Sequence, residues 1–186
     1  MQSSLPILLV TWLLTQALGL PACPPEETPC APAALQPDQG CSVIYATDGE
    51  LMLGGNNEDY YNPLTKVWFI PAEDAAFGRV YFGFNDYHAQ GGMNDQGLFF
   101  DGLGLEDTFP VAIEGKELYL GNLVDRAMRE CATVDCVAGL FERYYTRGSW
   151  WWQYLFGDAS GESAIVEAGA IIRQRGGYQA VSYTHL

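Results

Sequence analysis

The stretch GCSVIYATDGELMLGGNNED, residues 40–59, decides the fold expected for this chain. Cys41 to Thr47 is rich in β-branched and aromatic residues, which favour a strand. Asp48-Gly49 is a tight-turn pair, and Leu51 to Gly54 runs back as the second strand of a hairpin. The stretch therefore predicts that a globular domain begins at Cys41.

The residues before Cys41 have a different composition. Leu5 to Leu14 form an apolar run that is too short to span a bilayer and is followed by small residues, so we expect residues 1–22 to be a signal peptide. Residues 23–40 are rich in proline and lack a strand or helix pattern, which is typical of a pro-segment. The protein is thus expected to be secreted or periplasmic, and a variant of this interpretation is a lipid anchor at Cys23.

Beyond the hairpin, strand patterns alternate with turns and then give way to a helical period. Further strands are predicted at Lys66 to Ile70, Arg79 to Phe84, His88 to Met93 and Leu98 to Leu103. A first helix is predicted from an apolar face of Leu118, Leu120, Leu123, Val124, Ala127 and Met128. A second helix, capped by Thr133, would bury Val137, Leu140, Phe141 and Tyr144.

Strand patterns return after Gly148, at Trp150 to Phe156, Ser163 to Glu167 and Ala170 to Arg173. This order predicts an α+β domain over residues 41–181, in which helices cover antiparallel sheets. Residues 182–186 contain no closing element, so we expect the chain to be a fragment or to end in unrelated residues. The aromatic residues around Trp152 are expected to pack in the core rather than to bind a ligand.

Charge and ligand counts exclude several classes of function. The formal net charge is −14, and lysine occurs only at positions 66 and 116, so neither nucleic acid nor an anionic membrane surface is an expected partner. Two histidines and the absence of a C-x-x-C pair argue against zinc, and the acidic group Asp101, Glu106 and Asp107 is expected to be solvated. No metal and no cofactor is predicted.

Five cysteines leave one thiol unpaired in an oxidising compartment. Cys23 with Cys30 and Cys131 with Cys136 are close enough in sequence to pair locally, which leaves Cys41, although sequence does not establish this pairing. If the Gly40–Cys41 bond were cut, Cys41 would carry both a thiol and a free α-amino group whose pKa is ordinarily about 8. One residue would then supply nucleophile and base.

The residues from Cys41 to about Val181 resemble the choloylglycine hydrolase and penicillin V acylase family of linear amide C–N hydrolases. Gly55-Asn56-Asn57-Glu58-Asp59 is similar to the Gly-Arg-Asn-x-Asp signature of that family, with Asn56 in place of the arginine. Gly92 to Leu98 resembles its Asn-Glu-x-Gly-Leu turn, and Gly157-Asp158 through Glu167 resembles a later strand pair. Ser182-Tyr183 stands where the family has Thr-Asn.

The resemblance implies an N-terminal-nucleophile hydrolase fold, an αββα sandwich of antiparallel sheets with covering helices, incomplete at the C-terminus. It implies that Asp59 holds the amine of Cys41, that Asn94 and the backbone N–H near Gly104 stabilise an oxyanion, and that Asn56 and Asn57 contact substrate. The predicted function is autocleavage at Gly40–Cys41 and hydrolysis of a small acylated amine; a homo-oligomer is left open. The alternatives are a non-catalytic binding module with Cys41 in a disulfide, and an acyltransferase or dipeptidase on the same fold.

Overall fold

The computed structural model describes residues 40–105, 112–147 and 152–182. The predicted signal peptide, nearly all of the pro-segment, Trp150, Trp151 and the tail after Ser182 lie outside these residues. Twelve strands and two helices are present in the described part of the chain. The strands are β1 (Ser42–Thr47), β2 (Met52–Asn57), β3 (Lys66–Ile70), β4 (Arg79–Gly83), β5 (Ala89–Asn94), β6 (Phe99–Gly104), β7 (Glu117–Leu118), β8 (Tyr144–Tyr145), β9 (Trp152–Gly157), β10 (Glu162–Val166), β11 (Ile171–Arg175) and β12 (Gly177–Ser182). The helices are α1 (Leu123–Glu130) and α2 (Val134–Arg143).

The strands form two antiparallel sheets and a short parallel pair. The small sheet has the order β12-β1-β2, and the large sheet has the order β11-β10-β9-β6-β5-β4-β3, while β7 pairs with β8. In the small sheet the predicted hairpin sets Thr47 opposite Met52, and β12 pairs along the other side of β1. The α+β prediction is confirmed.

The small sheet packs face to face on the large one. Val43 and Tyr45 of β1 form a buried cluster with Phe99, Leu103 and Leu155 from the middle of the large sheet. Two glycines permit the close approach, because a Cβ at Gly54 would lie 2.7 Å from the Phe99 ring and one at Gly157 would overlap the Tyr45 ring. The intersheet layer is therefore packed too closely to accept an added methyl group at either position.

The other face of the large sheet carries both helices. Phe100 and Phe156 alternate with the intersheet residues along their strands, so they point to the opposite side, where they meet Met128, Val137 and Phe141. The resulting order of layers is small sheet, large sheet, helices. No helix in the described residues is long and apolar enough to cross a membrane.

The first helix begins later than the apolar pattern suggests. Asn122 caps it by accepting a hydrogen bond from the Asp125 N–H at 3.0 Å, so Leu118 lies in β7 and Leu120 is 87% exposed. The prediction that these two leucines share the helical face is wrong, because a cap of this kind stabilises a helix start by about 1 kcal/mol and fixes its position. Thr133 caps α2 as predicted.

A disulfide joins Cys131 to Cys136 across the turn between the helices. Cys41 is the free cysteine of the described residues. The local pairing considered from sequence is thus confirmed for this pair, and the binding-module alternative, which needs Cys41 in a disulfide, has no support here. Cys23 and Cys30 lie outside the described residues.

Candidate active site

Cys41 directly precedes β1 and is in phase with Val43 and Tyr45, so its side chain faces the layer between the sheets. The thiol is half-buried. On the other side, Ser182 of β12 lies near the Cys41 carbonyl, with its Oγ 3.4 Å from that oxygen. The nucleophile predicted from sequence therefore lies at the rim of the intersheet core, with β2 on one side and β12 on the other.

The hairpin brings Glu58 to this thiol. Ser42 pairs with Asn57, and one step further along the register Glu58 stands opposite Cys41. The Cys41 Sγ donates a hydrogen bond to Glu58 Oε2 at 3.3 Å, and Asn56 Nδ2 donates to Glu58 Oε1 at 2.8 Å. Both carboxylate oxygens of Glu58 are thus engaged, and its position relative to the sulfur is defined from two directions.

The environment of Cys41 keeps its sulfur protonated. Burial is the largest cause that raises the pKa of the thiol, from 9.0 to about 11, and the nearby charges of Glu58 and Asp101 add to it. The backbone N–H of Asp59 acts in the opposite direction by hydrogen bonding to the sulfur. Only a small fraction of the thiol would be ionised at neutral pH while Cys41 is joined to Gly40.

Asp101 is a buried acid beside this site. It lies on β6 between Gly91 and Leu155, it is 1% exposed, and its Oδ2 has no hydrogen-bond partner. Burial, followed by the charge of Glu58, raises its pKa from 3.8 to about 8, so Asp101 is mostly protonated at neutral pH. A side chain at Gly91 would overlap the Asp101 carboxyl group, which explains why glycine fits there.

Asp59, the predicted holder of the amine, has an exposed side chain. Its backbone N–H, rather than its carboxylate, approaches Cys41 in the uncleaved chain. Of the two predicted substrate contacts, Asn56 points to the intersheet side with Val43, whereas Asn57 pairs with Ser42 and points to the outer face. The structure thus brings the backbone N–H of Asp59 to Cys41, links Asn56 to the site through Glu58 and turns Asn57 away.

Asn94 lies away from Cys41, and the contacts of its side chain do not support the oxyanion role predicted for it. Its Nδ2 donates to the carbonyls of Met128 (3.1 Å) and Cys131 (2.8 Å), and its Oδ1 accepts from the N–H groups of Gln96 and Leu98. These contacts lie on the helix-facing side of the large sheet, opposite to Asp101. Asn94 joins a turn to the end of α1, and it has no amide hydrogen left for an oxyanion.

Gly104 ends β6 opposite Trp152 and is exposed. It contributes no side chain, and a Cβ at this position would meet open space. Gly104 is the last residue of β6, the strand that also carries Asp101, and it directly follows the intersheet residue Leu103. The role of an N–H group near Gly104 as an oxyanion donor stays a prediction.

A second concave region lies on the helix-facing side. Its wall contains Trp68, Tyr81, Tyr154, His88 and Asp125, and the cavity measures about 320 Å³. The carboxylate of Asp125 is already engaged by the Tyr81 hydroxyl at 2.7 Å and by Arg79 at 3.2 Å. No group of three metal-ligating side chains occurs there or elsewhere in the described ranges.

No protein-family profile and no curated protein matches the chain. Solved structures do match, and two amide hydrolases are among them. Penicillin V acylase from Agrobacterium tumefaciens matches with a TM-score of 0.53 and 21% identity, over 73% of this chain and 49% of the other. A variant of conjugated bile acid hydrolase from Clostridium perfringens matches with a TM-score of 0.56 and 20% identity, over 74% and 52%.

The chain has the N-terminal-nucleophile hydrolase fold. This confirms, at the level of fold, the resemblance found in residues 41–181. The chain spans about half the length of the solved structures that it matches. The fold places Cys41 at the start of a strand in the small sheet, where the thiol faces the large sheet.

Sequence reasoning missed two residues of this site. Glu58 stands in the variable position of the signature, and the hairpin register alone could have placed it opposite Cys41. Asp101 was grouped with the acidic residues of the following loop, although it sits among the apolar residues Phe99, Phe100 and Leu103. An acid inside an apolar strand is the signal that could have identified it.

Proposed function

We propose that the protein is an exported amide hydrolase in which cleavage of the Gly40–Cys41 bond frees Cys41 to attack the linear amide of a small acylated amine. The observation that carries the proposal is the free thiol of Cys41, which lies immediately before the first strand of an N-terminal-nucleophile hydrolase fold. A cysteine that starts such a chain needs no histidine, because its own amine accepts the proton of the thiol.

Cleavage changes the electrostatics of the thiol in the required direction. The new α-ammonium group would stand beside the sulfur and favour the thiolate, opposing the burial and the acidic neighbours that hold the pKa at about 11 in the uncleaved chain. The backbone N–H of Asp59 already favours the charged sulfur. We propose that the Asp59 carboxylate turns to the amine once it forms and fixes its direction.

The reaction then proceeds through a thioester. The sulfur of Cys41 forms a bond to the amide carbon, the amine receives the thiol proton and passes it to the leaving nitrogen, and the acyl group stays on sulfur. Water next attacks the thioester, giving a carboxylic acid and the free thiol. A main-chain N–H near Gly104 is proposed to stabilise the oxyanion, and Asn56 to contact the substrate.

The test begins with the intact mass of the purified full-length chain. A mass that corresponds to a chain starting at Cys41, absent in the Cys41→Ala variant, is expected. The processed protein should gain one iodoacetamide adduct at Cys41 and release free amine from members of a panel of N-acylated amines. Protein that stays joined to residue 40, or a processed chain whose Cys41 does not react with iodoacetamide, would refute the proposal.

A further inference from the structure

Before cleavage the proposed chemistry lacks its base. The nitrogen of Cys41 is then a peptide nitrogen joined to Gly40, and an amide nitrogen does not accept a proton near neutral pH. The amine therefore serves later turnovers and not the step that creates it. A proton acceptor other than the amine must serve the first attack of the thiol.

The contacts of Cys41 identify that acceptor. Glu58 Oε2 receives the Sγ–H at 3.3 Å, and Asn56 fixes the second oxygen of the carboxylate at 2.8 Å. Glu58 is half-buried at the end of β2, so the hairpin that carries the nucleophile also carries its hydrogen-bond acceptor. This geometry falls within the reach expected of a general base for a sulfur nucleophile.

The other titratable groups are less suited. Asp101 lies on β6, near enough for its charge to affect the thiol, but its pKa of about 8 leaves it mostly protonated at neutral pH. Asp59 approaches the sulfur with its backbone N–H, which is a donor, while its side chain is exposed. His88 is exposed and its ring stands 5.4 Å from that of Trp152.

We propose that Glu58 is the catalytic base of maturation, accepting the thiol proton of Cys41 when the sulfur attacks the carbonyl carbon of Gly40. This inference rests on the proposed function. As the carbon–sulfur bond forms, the proton moves to Glu58; as the Gly40–Cys41 carbon–nitrogen bond breaks, Glu58 returns it to the departing nitrogen. Water then hydrolyses the thioester, leaving a Gly40 carboxylate and the free amine and thiol of Cys41.

A consequence is that the role of Glu58 is confined to maturation. Once the amine exists, it stands on the same residue as the sulfur and takes over the proton transfer. Loss of the Glu58 carboxylate should therefore stop processing while leaving a chain that is cut by other means able to react at Cys41.

The experiment follows cleavage of the full-length chain by intact mass over time. Glu58→Gln keeps the shape of the side chain and removes the base, so we expect cleavage to slow by about 100-fold or more, the usual contribution of a general base. Glu58→Asp, which retains a carboxylate, should restore part of the rate. Glu50→Gln, at an exposed position in the turn of the same hairpin, is the matched control and should cleave like the wild type.

The dependence of the rate on pH separates a base from a structural support. With a general base in place, the rate should change little around neutral pH. Without it, only the ionised thiol reacts, so the rate in Glu58→Gln should rise about tenfold per pH unit. A variant that merely loosens the hairpin would keep the wild-type profile at a lower level.

Cleavage by an added protease makes the two proposals distinguishable. Placing a protease recognition sequence before Cys41 in the full chain allows the folded Glu58→Gln variant to be cut from outside, after which its Cys41 should react with iodoacetamide as the wild type does. If the wild type does not cleave itself, the proposed function fails. If the wild type and Glu58→Gln cleave at equal rates, or if Glu58→Asp is as slow as Glu58→Gln with a wild-type pH profile, the assignment of Glu58 fails while the proposed function stands.

Discussion

Replacing Asp101 by asparagine should stabilise the uncleaved protein, and the gain should grow as the pH rises. Asp101 is 1% exposed and its pKa rises from 3.8 in water to about 8 in the folded chain, chiefly because of burial. Between these values the folded protein keeps a proton that the unfolded chain has lost. Stability from this group is therefore fully present below pH 3.8 and is lost as the pH rises to about 8.

The magnitude follows from the size of the shift. About four pH units at about 1.36 kcal/mol each give an upper limit of about 5–6 kcal/mol for the complete change. Relaxation and water penetration reduce the cost of a buried charge, so we expect the free energy gained by Asp101→Asn to increase by about 2–4 kcal/mol between pH 5 and pH 8.

The assay is urea unfolding followed by intrinsic fluorescence, in a Cys41→Ala background that prevents cleavage. Asp74→Asn, an exposed acid in the connection between β3 and β4, is the matched control and should show little change with pH. The contributions of other groups that titrate in this range to the free energy of unfolding cancel, because the two chains that are compared differ only at Asp101. Equal differences in the free energy of unfolding at pH 5 and pH 8 would refute the buried, unpaired state of Asp101.

Three further predictions test the same structure. In chains not yet cleaved, Cys41 should react with iodoacetamide at pH 8 about 10- to 100-fold more slowly than a free cysteine, because its pKa is about 11; an ordinary rate, measured by mass spectrometry, would contradict the burial of the thiol. Gly157→Ala should lower the free energy of unfolding by about 2–4 kcal/mol because the added methyl overlaps the Tyr45 ring, whereas Gly139→Ala, in open space on α2, should raise it by about 0.5–1 kcal/mol. Asn94→Ala should cost about 2–4 kcal/mol in urea unfolding through its four hydrogen bonds and leave the rate of cleavage at Cys41 unchanged, since its role is structural.

Local patterns predicted much of the fold. The hairpin turn at Asp48-Gly49, the cap of α2 at Thr133, the core of both buried helix faces and most strand positions follow from neighbours within a few residues, and such signals are readable in a sequence. The predicted start of α1 was wrong because Leu118 and Leu120 continue the apolar spacing of the helix toward its N-terminus. The cap at Asn122 makes the helix begin at Leu123 instead. Cys41 was identified from two signals: five cysteines leave one without a partner, and Cys41 stands where a proline-rich segment gives way to a strand pattern.

The site itself was predicted less completely. Asn94 belongs to a turn that resembles a family motif. Such a motif does not specify toward which face of the sheet the Asn94 side chain points. Glu58 and Asp59 are adjacent, so a shift of one residue exchanges which of them faces the thiol, and the register of the hairpin decides it.

By itself the sequence determined the local elements: the strand that starts at Cys41, its turn and the cap of α2 at Thr133, together with an odd number of cysteines. Only the tertiary structure decided that Ser182 lies beside Cys41 across 141 residues, that Glu58 accepts the thiol hydrogen bond and that Asp101 is buried with an unpaired oxygen. The physical reason is that turns and caps depend on contacts between neighbours in the chain. The pKa values of Cys41 and Asp101 depend instead on which distant surfaces exclude water around them, and alternation along a strand specifies a face without specifying what covers it.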